Sequence, residues 1–175
     1  MNTYRYVPQK IIKNAAILSF LCSTAAAVSL LLGFTEKYRF VWQISFAVFA
    51  TIAIQLTARF ISSSYTFILD DVNFIIVRTY LKNSKQVCNI NLRNSIRVIE
   101  ISDQSNKKHF KEVERDIGKI AVRRSFCQNL WASDREYIYI FEFDEKICTI
   151  RFNADDNFIA EMKRRIEDAN LRYGE

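Results

Sequence analysis

The polarity pattern divides the chain into a first third with long uncharged runs and a remainder in which charged and apolar residues alternate every few positions. Asn14–Phe34 holds no charged side chain and neither does Phe40–Ala58; only Thr35-Glu36-Lys37-Tyr38-Arg39 separates them. Runs of 21 and 19 residues extend about 30 Å as α-helices, the thickness of the hydrocarbon core of a bilayer. Each run carries nine residues from Leu, Ile, Val and Phe, which together favour insertion by about 3–5 kcal/mol. A buried helix in a soluble bundle seldom goes so long without a charge. The pattern predicts a transmembrane hairpin with helices at about 11–34 and 40–61. Arg5, Lys10 and Lys13 resemble the basic start of a signal peptide, and Ser23–Ala27 offers small residues. Apolar character continues through Val28–Phe34, beyond the ~7–15 residues of a usual signal core, so the segment is expected to remain as an anchor.

Small residues offer the two helices a means of packing. Ala15, Ser19, Ser23 and Ala27 recur every four positions on the first, while Ala47, Thr51, Ala50, Ala53 and Thr57 lie together on the second. Arg5, Lys10, Lys13 and Arg59 flank the outer ends, against Lys37 and Arg39 in the connecting loop. That asymmetry places both termini in the cytoplasm and the protein in the cell (inner) membrane as a multi-pass chain. Trp42, Phe40 and Tyr38, with Tyr4 and Tyr6, suit an aromatic belt at the interfaces, and Arg59 a snorkelling anchor.

From Ser62 the pattern switches to short β-type runs. Tyr65–Leu69, Phe74–Leu81, Lys85–Ile90, Ile96–Ser102, Lys119–Phe126, Tyr137–Phe143 and Lys146–Phe152 read as strands. Asp70-Asp71-Val72-Asn73, Lys82-Asn83-Ser84 and Asp144-Glu145 mark turns. Tyr137, Tyr139, Phe141 and Phe143 share one face by alternation, as do Cys148, Ile150 and Phe152. Phe110, Val113 and Ile117 have near-helical spacing within the charged stretch Asp103–Gly118, which suggests a short helix there. The period changes again at the end: Asn153 is placed to cap a helix, with Asp155 and Asp156 in its first turn. Phe158, Ile159, Met162 and Ile166 form its apolar stripe. The chain therefore divides into a hairpin over 1–61 and a cytoplasmic domain over 62–175.

Charge bears on partners once it is split at that boundary. Of the net +6, residues 1–61 carry six basic and one acidic side chain, and residues 62–175 carry nineteen and eighteen. The excess belongs to the membrane flanks, and the near-neutral domain makes nucleic acid an unsuitable partner. Cys22, Cys88, Cys127 and Cys148 are scattered without a C-x-x-C pair, as expected of reduced thiols. Gly33, Gly118 and Gly174 are too few and too far apart for a phosphate-cradling loop. His109 is the lone histidine and follows Lys107-Lys108 in a charged stretch, where a solvated side chain is the ordinary role.

About seven strands closed by one amphipathic helix resembles the pleckstrin-homology (PH)-like superfold. Joined to a two-helix hairpin, it is similar to small bacterial membrane proteins carrying a PH-like or YcxB-like domain. The Tyr65–Leu81 hairpin, the Tyr137–Phe152 strand pair and the Asn153–Leu171 helix carry the resemblance. It implies an α+β chain: a transmembrane hairpin, then an antiparallel β-barrel or roll capped by a C-terminal helix. It also implies a binding or scaffolding module, not an enzyme, with no cofactor, metal or catalytic residue and no small-molecule substrate evident. Phosphoinositide-binding members carry basic residues at the first hairpin turn, whereas Asp70-Asp71-Val72-Asn73 would repel a phosphate. A membrane-tethered protein-binding or self-associating module is the expectation, with a lipid-headgroup sensor as the alternative. Arg5, Lys10, Lys13, Trp42 and Arg59 are the expected anchors. Lys107, Lys108, Lys111, Trp131, Lys163, Arg164 and Arg165 are the expected lipid or partner contacts.

Overall fold

The computed structural model describes residues 3–34, 38–101, 104–131 and 135–173, and of residues 104, 107, 172 and 173 the backbone only. The chain forms two compact units: residues 10–63 with 129–131, and residues 1–9 with 64–128 and 132–175.

In the first unit α1 (Ile12–Leu32) and α2 (Arg39–Leu56) pair, and α2 runs on through one π-helical turn, Thr57–Ile61. Both are long and apolar enough to cross a membrane. The buried side chains of α1 are Ala15, Ser19, Ala26 and Ser29, so the small-residue reading holds at Ala15 and Ser19 and fails at Ser23 and Ala27. A strict four-residue stripe winds about 40° per step around a helix, whereas a paired seam advances by alternating fours and threes. On α2 the buried positions are Ala53 and Leu56, while Ala47 and Thr51 face outward. Ser19 Oγ lies 2.8 Å from Thr57 Oγ1, a cross-helix hydrogen bond. The outward hydroxyls are satisfied within their own helix: Ser23 donates to Ser19 O, Thr24 to Phe20 O, Ser45 to Val41 O and Thr51 to Ala47 O. No hydroxyl of this group needs water, which suits an apolar medium. Thr35–Lys37, with the Lys37 charge counted in the loop, lie outside the described residues.

The second unit has eight described strands in two four-stranded sheets that do not close into a barrel among the described residues. The first sheet runs β1 (Tyr4–Tyr6), β2 (Ser63–Leu69), β3 (Asn73–Tyr80), β4 (Asn83–Asn91). Its hairpins follow the turn signals: Asp70 N–H donates to Asn73 O at 2.8 Å, and Leu81 turns with a positive φ of 54°. The strand β1 corrects the reading of Tyr4 and Tyr6 as interfacial residues. It pairs antiparallel with β2 (Tyr4 opposite Leu69, Tyr6 opposite Phe67), and both rings pack on Phe158.

The second sheet has the order β5 (Ser95–Glu100), β7 (Glu136–Phe143), β8 (Lys146–Asn153), β6 (Val122–Ser125). The pairing of β6 with β8 is parallel, against the all-antiparallel expectation. A parallel edge needs a crossover, and α3 (Gln104–Ile117) provides it. Fourteen helical residues reach about 21 Å, enough to carry the chain past the ~14 Å spanned by three strand spacings. The charge-rich segment is therefore the connection that takes the chain from one edge of this sheet to the other. Ser102 and Asp103, where it begins, lie outside the described residues.

The main core lies between the sheets and α4 (Asp156–Tyr173). Phe67, Leu69, Phe74, Ile76, Leu92, Tyr139, Ile150, Phe152, Phe158 and Met162 are fully buried in it. Tyr137, Tyr139 and Phe141 face this core as expected, but Phe143 sits beyond it and is exposed. The opposite face of β7 is buried too: Ile138 and Ile140 join Ile99, Ile101 and Val113 beneath α3. The cap of α4 is Asp155, whose Oδ1 accepts from Phe158 N–H at 2.8 Å, and not Asn153.

Candidate functional site

Three neighbouring rows of side chains create an open cavity of about 550 Å³ on the α3 side of the second sheet. Its apolar wall is Ile101, Phe110 and Ile138; its polar wall is Lys111, Glu114, Arg123, Arg124, Ser125, Thr149 and Arg151. Strand register explains why these residues converge. Ile138 lies opposite Arg151 and Ile140 opposite Thr149, while on the parallel edge Arg123 aligns with Thr149 and Ser125 with Arg151. Since side chains alternate along a strand, Arg123, Ser125, Thr149 and Arg151 share the face that Ile138 and Ile140 present to α3. Phe110, Lys111 and Glu114 then reach the cavity from the helix, one turn apart.

Electrostatics in the cavity are unbalanced. Glu114 pairs with Arg123, and Glu136, nearly buried beside the cavity, takes Arg151 through both carboxylate oxygens, one of them at 2.7 Å. Cys127 Sγ donates to the same Glu136 at 3.2 Å. Lys111 has no ion-pair partner among the described residues, whereas Arg124, opposite Ile150 and between Arg123 and Ser125, turns to the other face of the sheet. Three cations, Lys111, Arg123 and Arg151, against two carboxylates leave a local excess of positive charge in a domain whose overall balance is near zero. Burial pushes the Cys88 thiol up, an effect that the Arg124 guanidinium opposes.

A second, smaller cavity of about 310 Å³ is lined by Glu100, Arg135, Tyr137, Asp156 and Lys163 among others. Its charges largely satisfy one another. Arg135 donates to Asp156 at 3.0 Å and stands 3.8 Å from Glu100, and Tyr137 OH donates to Asp156 at 3.1 Å. Burial, then the Asp156 bond, raises the Tyr137 phenol.

Of the expected contacts, only Lys111 lines the larger cavity; Lys108 is exposed on α3 and the Lys107 side chain is outside the described residues. Lys163 lines the smaller cavity, and Arg164 is exposed and paired with Glu161 at 2.7 Å. Arg165 is not a surface contact: it is buried, donating to Leu69 O at 2.9 Å and to Glu161 at 2.7 Å. These two guanidiniums, Arg164 first, hold the Glu161 carboxyl down at about 2. Trp131 is largely exposed, in the short segment that clusters with the helical hairpin.

Among the expected anchors, Arg5 is exposed on β1 and Lys13 on the first turn of α1. Lys10 Nζ donates to Ile61 O at 2.5 Å, joining the start of α1 to the end of the π turn. Arg59 lies 5.3 Å over the Phe60 ring, and Trp42 packs beside Gly33, where the end of α1 comes close. Arg123, Arg124 and Arg151 went unremarked in the sequence. Arg123-Arg124 was a visible dibasic pair within a β-type run, but only the crossover brings Arg123 beside Arg151 and Lys111. Comparison with protein-family models, curated proteins and solved structures finds no match for the chain.

Proposed function

We propose that the protein is a membrane-anchored, non-catalytic interaction module that presents its two-sheet unit to a protein partner at the cytoplasmic face. The outward apolar surface of the hairpin carries this reading. Phe20, Leu31, Phe40 and Ile54 are each about 70% exposed on helices of membrane-spanning length, a surface that lipid covers better than water. The Lys10 bond to Ile61 O supports a hairpin whose two outer ends lie together on one side. In the unit that follows, the C-terminal helix packed into the core is the feature that supports a likeness to PH-like domains.

The partner surface in this reading is β4, a nine-residue edge strand with no strand on its outer side among the described residues. Edge strands accept a further strand through backbone hydrogen bonds. Two measurements test the proposal on the full-length chain in its native membranes. Alkaline carbonate should leave the protein in the membrane pellet, and release into the supernatant would remove the anchor. A photo-crosslinker at the exposed Gln86 should capture a different polypeptide; capture of lipid or of this chain alone would remove the protein-partner reading.

A lipid-headgroup sensor is the second reading, favoured by the cations of the α3 cavity. It requires binding to anionic bilayers that weakens with salt.

A further inference from the structure

We infer that the cavity between α3 and the second sheet is a binding site for a small phosphate-bearing molecule with an apolar or aromatic body. Its volume of about 550 Å³ falls within the range of small-molecule sites, where an apolar wall meets a few convergent polar groups. The wall of Ile101, Phe110 and Ile138 takes the body, and the rows opposite take the phosphate.

Charge selects the anion. Lys111, Arg123 and Arg151, offset by Glu114 and Glu136, leave one positive charge, which favours an anionic group. Donor count selects phosphate over carboxylate. Guanidinium forks from neighbouring positions, an ammonium, and the Ser125 and Thr149 hydroxyls exceed what two carboxylate oxygens accept, and they suit three phosphoryl oxygens. Glu114 and Glu136 already hold Arg123 and Arg151 in place, so those two are preorganised, while Lys111 keeps its donors for a ligand. This site does not depend on the anchor or on the β4 edge, and its failure would leave the proposed function standing.

The probe is phenyl phosphate, titrated calorimetrically into the full-length protein in a neutral detergent at low salt. Saturable binding is expected, weakening as salt rises. Inorganic phosphate, lacking the ring, and benzoate, lacking the third oxygen, should each bind about tenfold more weakly or worse. The exposed Lys111→Gln should lower affinity about tenfold while leaving the melting temperature in place, since Lys111 holds no ion pair in the fold. Phosphatidate added to the micelles distinguishes the source of the phosphate: competition with phenyl phosphate assigns a lipid headgroup, and its absence a soluble ligand. No saturation by about 10 mM phenyl phosphate, or equal affinity in Lys111→Gln, would overturn the inference.

Discussion

Replacing both Tyr4 and Tyr6 by alanine asks whether the first residues are a membrane flank or part of a sheet. In the structure their rings point the same way from β1: Tyr4 lies 6.0 Å from Phe158, and Tyr6 lies 5.1 Å from Phe158 and 6.4 Å from Phe67. Arg5 between them is exposed. Truncating a fully buried aromatic costs about 3–5 kcal/mol, and each of these is partly buried, so about half that applies to each. Both rings rest on Phe158, so the two losses share a partner and do not simply add; about 3–4 kcal/mol is expected for the pair. For a unit of this size, that lowers the melting temperature by roughly 10–15 °C. The assay is near-ultraviolet circular dichroism of the full-length protein in mild detergent, with Arg5→Ala as the control, expected within about 0.5 kcal/mol of the parent. Hydrogen exchange should show the loss at the β2 amides of Phe67 and Leu69 first. A shift below about 3 °C with unchanged protection of β2 would mean that β1 does not support the sheet, and the reasoning would fail.

Arg165→Met should cost about 1–3 kcal/mol by leaving Leu69 O without its donor, with Arg165→Lys recovering part of it; denaturant midpoints measure this, and a neutral Met variant would refute the buried role. Glu161 gives a pH signature. Its carboxyl sits at about 2 in the fold against a usual 4.5, so its contribution is complete above 4.5 and disappears as pH falls towards 2. Glu161→Gln should therefore be less stable at neutral pH by about 1–2 kcal/mol, after discounting the exposed Arg164 side of the pair, and the two melting curves should converge near pH 2; parallel curves would refute it. Asp144 and Glu145 both turn with positive φ, 51° and 56°, so Glu145→Gly should stabilise the β7–β8 hairpin by about 1 kcal/mol, read as a raised melting temperature.

Local period and turn chemistry made much of this fold legible. The charge-free runs at 14–34 and 40–58 became α1 and α2, the Asp70–Asn73 and Asp144-Glu145 turns joined the strands they separate, and Phe158, Ile159 and Met162 became the buried stripe of α4. The missed features are those that local patterns do not encode. Three residues of β1 are too short to show alternation, and their partners lie some sixty positions away. The direction of β6 depends on which side of β8 it meets, and a run of four strand residues carries no mark of that. Arg165 looks like any other charge in Lys163-Arg164-Arg165 until Leu69 O is placed against it. The cavity has the same origin. Each of its cations reads as a solvated charge, and only the crossing of α3 gathers them against an apolar wall.

The connectivity of the first sheet bears on the helical hairpin as well. The chain leaves this sheet at Tyr6, runs through both helices, and returns at Ser63 on the adjacent strand. The helical hairpin is thus an insertion in the connection between two neighbouring antiparallel strands. An odd number of membrane crossings in such an insertion would put β1 and β2 on opposite sides of a bilayer, where they could not pair. Two crossings are compatible with the observed register of Tyr4 with Leu69, and the Lys10 bond to Ile61 O joins the two ends that must lie together. Closing a flexible loop of about 56 residues costs on the order of 3–4 kcal/mol, comparable with what the three residues of β1 return. A paired α1 and α2, with Lys10 joined to Ile61 O, removes most of that cost. So short a strand can therefore hold its place beside a hairpin whose ends are already joined.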